Sequence, residues 1–225
     1  PKIYNFYAET WSLCIEEWYY VIVPLFIYIL TLGNKNTLTQ KHFLAIVLFL
    51  LIVSPILRYF YAKDFVFVNA KSFFDYRMIT FIRLDSIAYG TLAAYFSIVY
   101  KQKWEQYKNA FFKIGGIILL LNTMYLFCIL NEFLPVHHAY ITNLNFIFNG
   151  IGVLLMLPKI ESVQLKNENL HRFFTHTSII SYSMYLLQMT IILNIAILIF
   201  MAVARINLYS VSLFVVLYVL VVYYI

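Results

Sequence analysis

Residues 13–32 read LCIEEWYYVIVPLFIYILTL, and Glu16 and Glu17 are the only charged residues in this run. A membrane-spanning helix needs about 20 mostly apolar residues. Hydrocarbon offers no partner for backbone polar groups, so a spanning segment satisfies its own groups by forming a helix. The run therefore predicts a helix that crosses a bilayer, with two carboxylates about 4–8 Å inside one end.

Six further apolar runs follow the first one. We place them at residues 43–62, 80–100, 113–131, 141–158, 178–203 and 207–225. The chain has 225 residues, of which 63% are hydrophobic and 12% are charged. Seven spanning helices use about 140 apolar residues, and this composition supplies about that number. We therefore predict an all-α fold, a polytopic transmembrane helix bundle with about seven spans.

The same composition excludes several other classes of protein. Too little polar surface is present to coat a water-soluble globule or to keep a chain disordered. The net charge of +6 is spread over short segments between the apolar runs. A nucleic-acid partner requires basic residues on one face, so we expect none. The chain has neither the cysteine spacing nor the histidine spacing that is typical of a metal site, so we expect no bound metal.

Lysine and arginine in the loops predict the orientation in the membrane. Nine of them lie on the side that residues 100–108 occupy, against six or seven on the side of Pro1. The stretch at 100–108, YKQKWEQYK, is short and strongly basic, and cytoplasmic loops carry such an excess. We expect this side to face the cytoplasm, with Lys103 and Trp104 at an interface where anionic lipid favours them.

Four charged residues lie just inside the first and third runs. Both runs enter from the same side, so Glu16, Glu17, Arg83 and Asp85 occupy one layer of the membrane. A charge inside a membrane helix costs about 2.5–3.5 kcal/mol and therefore needs a partner or a cavity. Arg83 and Asp85 point in directions roughly 200° apart on a helix and cannot pair well with each other. We predict that Arg83 pairs with Glu16 or Glu17.

Two interpretations of this charged layer stay open. An acid in the first turn of a helix is stabilised by the positive end of the helix dipole, and an ion pair can simply hold two helices together. The alternative is a catalytic or substrate-binding role, which is typical of charged residues in a membrane interior. Gly90, further along the third run, permits the close approach of a helix or a ligand.

The sixth run carries a polar stripe. Ser181, Tyr185 and Gln188 share one helical face, and Tyr182 and Ser183 lie beside them in the sequence. Hydrogen bonds between helices explain such a stripe as well as substrate binding does.

Three segments, taken in order, resemble the membrane acyltransferase 3 family. TWSLCIEEWYYVIVPL at 10–25 resembles its Trp-Ser-Leu-x-x-Glu-Glu signature. RLDSIAYGTLAA at 83–94 is similar to its Arg-x-Asp-x(4)-Gly segment. ISYSMYLLQ at 180–188 resembles its Ser-Tyr-x-x-Tyr-Leu stretch.

The resemblance implies an integral membrane O-acyltransferase. Such enzymes move an acetyl or other short acyl group, with acyl-CoA as co-substrate, to a hydroxyl of a cell-surface polysaccharide or lipid-linked glycan. We therefore expect an acyl donor, a glycan acceptor and the lipid bilayer as partners, with no bound cofactor. We also expect a multi-pass protein of a bacterial inner or plasma membrane.

The resemblance further implies about ten spans of about 20 residues each, with the catalytic base on the first helix in an Arg-x(10)-His pattern. This chain contains no counterpart of that pattern. We therefore expect residues 1–225 to be a single acyltransferase domain that lacks about three helices and is inactive alone. Gln188 stands where the family often has His, and a neutral amide cannot act as a general base near pH 7.

Site roles follow from the same resemblance. Glu16 or Glu17 would orient the base or the acceptor, and Arg83 would balance charge or hold a carboxylate. Asp85 would fix the surroundings of Arg83 or bind sugar hydroxyls. The substrate-binding set would be Trp11, whose ring could stack on a sugar, together with Ser12, Tyr182, Ser183, Tyr185 and Gln188.

Two other classes of function remain as alternatives. A transporter would use Arg83, Asp85 and Glu17 as a substrate or proton path. Pro24 and Pro55 interrupt the first two apolar runs, as in the broken helices of transporters, but no inverted repeat accompanies them. A membrane subunit that only binds partners is the third possibility.

Overall fold

The computed structural model describes residues 10–32, 40–67, 70–164 and 167–187, and every element in these ranges is helical. The α-helices are α1 (Thr10–Leu32), α2 (Gln40–Tyr61), α3 (Ala70–Arg77), α4 (Asp85–Val99), α5 (Lys101–Gln106), α6 (Lys108–Leu130), α7 (Asn145–Glu161) and α8 (Glu168–Leu187). Short 3-10 turns occupy Ala62–Asp64 and Thr80–Arg83, and a π-helical turn occupies Tyr140–Leu144.

Four helical stretches are long and apolar enough to cross a membrane. They are Trp11–Ile29, Gln40–Asp64, Lys108–Leu130 and Tyr140–Glu161. Many of their large apolar side chains are exposed, as expected for surfaces that meet lipid rather than water. The all-helical prediction is confirmed, and four of the predicted runs correspond to these stretches.

The third predicted run, 80–100, is a broken element. A 3-10 turn ends at Arg83, and α4 then contains only 15 residues. At 1.5 Å per residue α4 is about 22 Å long, which is shorter than the hydrocarbon thickness of about 30 Å. This run is accordingly not among the four long apolar stretches.

The sixth predicted run begins earlier than expected. Helix α8 starts at Glu168, whereas the prediction starts at 178. The part of that run beyond residue 187, and the whole seventh run at 207–225, lie outside the described residues. Pro24 and Pro55 lie inside α1 and α2, which both continue through them, so neither proline marks a broken helix.

The chain divides into two compact units. The larger unit, Ser12–Val163, contains α2 to α7 and nearly all of α1; the other comprises Pro1–Trp11 and Gln164–Ile225 and includes α8. In the larger unit one apolar cluster packs α1, α2 and α4 together through Tyr19, Val23, Ile46, Val47, Leu50 and Ala88. A second cluster joins α3 and α6 to the residues around the start of α7, through Phe73, Tyr76, Ile82, Ile129, Tyr140, Ile141 and Phe146.

Helices α6 and α7 cross closely at two glycines. A Cβ atom on Gly115 would lie 2.6 Å from the carbonyl oxygen of Gly152. A Cβ atom on Gly152 would lie 2.6 Å from the Leu119 side chain. Small residues let helix backbones approach each other, so this pair sets the distance between the two helices. Gly90 does not do so, because nothing among the described residues lies within 4 Å of its Cβ position.

The crossing predicts opposite outcomes for two adjacent glycines. We expect Gly115→Ala to lower the free energy of unfolding by about 1–3 kcal/mol, because the added methyl group forces two backbones apart. Gly116→Ala is the matched control, since nothing lies within 4 Å of its Cβ position. Its free energy of unfolding should rise by up to about 1 kcal/mol, because alanine is a better helix former than glycine. Reversible unfolding in detergent micelles measures both, and equal effects would contradict the crossing.

Candidate functional site

A buried ion pair joins α2 to α4. Arg58 Nη2 donates a hydrogen bond to Asp85 Oδ2 at 2.6 Å, and Nη1 donates to Oδ1 at 3.0 Å. The two side chains are 0% and 3% exposed. The planar guanidinium matches both carboxylate oxygens, which is the strongest geometry for such a pair. Each charge thereby has a counter-charge in an interior that solvates neither.

Two further donors of Arg58 are also satisfied by protein groups. Nη1 donates to the carbonyl oxygen of Ile82 at 2.9 Å, and Nε donates to Asn143 Oδ1 at 3.1 Å. Asn143 Nδ2 in turn donates to the carbonyl oxygen of Pro55 at 3.0 Å. The guanidinium is thus held by two separate parts of the chain, residues 82–85 and Asn143.

The start of α4 explains why Asp85 occupies this position. The first N–H groups of a helix have no acceptor within it. Here the backbone N–H of Asp85 donates to Ser54 Oγ of α2 at 3.0 Å. The Asp85 carboxylate also lies in the first turn of α4, where the positive end of the helix dipole favours it.

The π-helical turn before α7 supplies further groups to the same network. It carries Asn143 and the carbonyl group of Thr142. The buried Tyr76 hydroxyl of α3 lies within hydrogen-bond distance of two acceptors, the carbonyl oxygens of Thr142 at 3.2 Å and of Arg58 at 3.3 Å. Burial raises the pKa of Tyr76 to about 12, against a smaller lowering by Arg58, so the hydroxyl remains a donor at neutral pH.

Arg83 lies in the same layer as the ion pair. Its Cζ atom is 5.0 Å from the centroid of the Phe146 ring, and that of Arg58 is 5.2 Å from the same centroid. The negative face of an aromatic ring attracts a guanidinium, most strongly where water is excluded. Phe146 therefore brings two arginines together at the start of α7.

The start of α1 reaches this layer as well. The rings of Trp18 and Phe81 have centroids 5.2 Å apart, which places Glu17 at the level of the turn that carries Arg83. Both Glu16 and Glu17 are exposed. The shared layer that the sequence predicts is thus present in the larger unit, but the two acids lie on its exposed side.

The predicted ion pair between Arg83 and Glu16 or Glu17 is not among the ion pairs of the described residues. The ion pair in this layer joins Asp85 to Arg58 instead. A buried carboxylate needs a fixed counter-charge, whereas an exposed one is stabilised by its polar surroundings. The expectation that Asp85 binds sugar hydroxyls does not fit this structure either, because its two oxygens face Arg58 and the residue is buried.

The predicted substrate-binding residues occupy two places in the chain. Trp11 and Ser12 are half-buried at the start of α1. In α8 the Ser181 hydroxyl donates to the backbone of its own helix, Tyr182 is exposed and Tyr185 is half-buried. The Ser183 side chain and Gln188 lie outside the described residues. Their substrate-binding role stays a prediction.

Arg58 and Asn143 are site residues that the sequence prediction does not include. The six or seven lysines and arginines that we assign to the side of Pro1 include Arg58, although it lies inside the predicted run at 43–62. The rule that a charge inside an apolar run needs a partner is the signal that could have identified it. Asn143 gives no such signal, because a neutral amide is common where membrane helices contact each other.

A second polar cluster lies between α6 and α7. The Tyr140 hydroxyl donates to Asn122 Oδ1 at 2.7 Å, and Asn122 Nδ2 donates to Asn145 Oδ1 at 2.9 Å. A groove of about 360 Å³ adjoins it, lined by Ile118, Leu121, Asn122, Tyr125, Tyr140 and Phe148. These three polar side chains hydrogen-bond to one another, and the rest of the groove lining is mostly apolar.

No family model, no curated protein and no solved structure matches this chain. Within the described residues no group of three or more His, Cys, Asp or Glu side chains could hold a metal ion. The site is therefore characterised by its own geometry, a buried charged network beside two exposed carboxylates.

The buried pair predicts strong coupling between two substitutions. Asp85→Asn and Arg58→Met should each lower the free energy of unfolding by about 3–5 kcal/mol, because each leaves one buried charge without its partner. The double variant should lose less than the sum of the two single losses, with a coupling energy of about 0.5–3 kcal/mol. Denaturant unfolding in detergent measures this cycle, and additive losses would contradict the pairing.

The exposed pair of α8 provides the control for this cycle. Arg172 and Glu168 lie 3.5 Å apart, and their side chains are 79% and 86% exposed. Glu168→Gln should change the free energy of unfolding by less than about 0.5 kcal/mol, because water already solvates both charges.

Proposed function

We propose that this protein is a membrane-bound O-acyltransferase. It would transfer a short acyl group, acetyl by expectation, from acyl-CoA to a hydroxyl of a cell-surface polysaccharide or lipid-linked glycan. It would be a multi-pass protein of a bacterial inner or plasma membrane. The observation that carries the proposal is the contact between two family-like segments, at 10–25 and 83–94, where the Tyr19 hydroxyl lies 2.8 Å from Thr91 Oγ1. Trp18 also packs on Phe81, two residues before Arg83, and so brings the start of α1 to the charged layer.

The charges of that layer suit acyl transfer. The acceptor hydroxyl oxygen attacks the thioester carbonyl carbon, its proton passes to a base, and the carbon–sulfur bond breaks to release the CoA thiolate. A fixed positive group lowers the barrier by stabilising the oxyanion that forms on the carbonyl oxygen. Arg83, beside Phe146 in this layer, is the residue to which we assign that role.

The two carboxylates of α1 would act on the acceptor side. Glu16 and Glu17 are exposed beside the turn that carries Arg83, so one of them can orient a base or an acceptor hydroxyl. We assign the base itself to a histidine of the Arg-x(10)-His pattern, which residues 1–225 do not contain.

Asp85 would be a positioning residue rather than a group that touches substrate. Its buried carboxylate holds Arg58, and its backbone N–H is held by Ser54. These contacts fix the start of α4 and, two residues earlier, the turn that presents Arg83. In this scheme Arg58 and Asn143 support the same turn, because Arg58 also binds the carbonyl group of Ile82.

Transport is the second candidate function. A buried pair such as Arg58 and Asp85, beside membrane-spanning helices, is typical of proton and substrate paths as well as of enzymes. Against this function, α1 and α2 continue through Pro24 and Pro55, so neither proline marks a broken helix of the kind that transporters use.

Consumption of acyl-CoA separates the two functions. We expect membranes that contain the intact gene product and its native glycans to release CoA thiol from acetyl-CoA. Arg83→Ala should reduce this release by about 10²–10³-fold, the usual cost of losing one oxyanion donor. Glu17→Ala should also abolish transfer, whereas Glu105→Ala, which removes an exposed acid from α5, should leave it unchanged.

Membrane insertion is measured in parallel for every variant, so that loss of chemistry is distinguished from loss of protein. Wild-type transfer by both Arg83→Ala and Glu17→Ala would refute the assigned roles. A polypeptide of residues 1–225 should be inactive by itself. Turnover by it would show that the base lies within these residues.

A further inference from the structure

Helix α5 is a short basic helix between two apolar ones. It comprises six residues, Lys101–Gln106, and follows directly on α4 and precedes α6. Of its side chains only Trp104 is buried. The helix therefore connects the end of α4 to the start of α6 with most of its surface exposed.

Trp104 fixes the orientation of α5. Its indole Nε1 donates a hydrogen bond to Glu161 Oε2 at 3.0 Å, at the last residue of α7. Its ring centroid lies 6.4 Å from that of Phe96 in α4. The indole is thus used to hold α5 against the ends of two helices, and it is 7% exposed.

Trp104 is buried, whereas the lysines of this region lie on the surface. Lys101, Lys103 and Lys113 are exposed, and Lys108 is half-buried at the first turn of α6. We call these four lysines the α5 basic patch. Glu105 is the only acid among residues 100–113, so the patch has a net positive charge. Long lysine side chains next to a membrane helix extend their amines to the headgroup level.

Two tyrosines flank the patch. Tyr100 is 49% exposed and Tyr107 is 47% exposed, one at each end of α5. Tyrosine is enriched at membrane interfaces, because its ring lies in the apolar edge of the bilayer while its hydroxyl reaches water. The patch and the tyrosines together have the composition of a surface that lies at the headgroup layer.

We propose that the α5 basic patch binds the phosphate groups of anionic phospholipids in the adjacent leaflet. Clusters of four or more lysines beside a membrane helix attract anionic lipid, and each lysine strengthens the attraction by about fivefold. Trp104 anchors the backbone of α5 to the end of α7, so Lys101 and Lys103 extend from a helix whose position is fixed. This inference is independent of the proposed acyltransferase activity.

Lipid preference of the purified whole protein tests the proposal. Native mass spectrometry in detergent compares the binding of phosphatidylglycerol with that of phosphatidylcholine. We expect the wild-type protein to prefer phosphatidylglycerol, and Lys101→Gln/Lys103→Gln to reduce that preference by roughly 10- to 25-fold. Raising the salt concentration before detergent exchange should weaken the preference, since salt screens exposed charges.

Two matched variants serve as controls, one for the change of side chain at the same positions and one for the loss of two positive charges elsewhere. Lys101→Arg/Lys103→Arg keeps both cations and should retain the preference. Lys63→Gln/Lys71→Gln removes two exposed lysines near the ends of α2 and α3, away from α5, and should also retain it. All of these side chains are exposed, so the substitutions should not prevent folding.

Three outcomes would overturn the proposal. They are an undiminished preference in Lys101→Gln/Lys103→Gln, an equal loss in Lys63→Gln/Lys71→Gln, and displacement of the lipid by an equal concentration of coenzyme A. The third would assign the patch to the phosphates of a soluble nucleotide instead of a lipid headgroup.

Discussion

The buried pair of Arg58 and Asp85 is the constraint on which the larger unit depends. Neither charge is tolerable in an apolar interior without the other, so α2 and α4 must meet where the two residues lie. Two further donors of Arg58 bind the turns before α4 and α7. Through Tyr76 the same network also reaches α3. Through its guanidinium and its backbone carbonyl group, Arg58 of α2 therefore contacts α3, the start of α4 and the turn before α7.

The two ends of the larger unit have different chemistry. One end holds the charged network, Arg83 and the exposed acids of α1, a combination of buried and accessible charge that suits a reaction. The other holds α5, whose lysines are exposed and whose tryptophan is buried. Between them α6 and α7 cross at glycines, which allows the two helix backbones to approach closely. The proposed enzymatic role and the proposed lipid contact thus rest on separate residues.

The apolar runs were sufficient to predict α1, α2, α6 and α7, because only a helix satisfies its own backbone in hydrocarbon. They were not sufficient for the third run, where a 3-10 turn precedes a short α4. That break is stabilised by Ser54 of α2, so no pattern within residues 80–100 could predict it. The common layer of α1 and α4 was predictable from residue counts, since each helix rises by a constant amount per residue.

By itself the sequence determined that this protein is helical and apolar enough for a membrane, and that its charges inside apolar runs need partners. Only the tertiary structure decided that the buried ion pair of this layer joins Asp85 to Arg58, 27 residues earlier in the sequence. The sequence had favoured a pair between Arg83 and an acid of α1. Periodicity defines the faces of one helix, but the rotation of one helix against another depends on packing throughout the unit. The identity of an ion pair between helices is therefore a property of the fold.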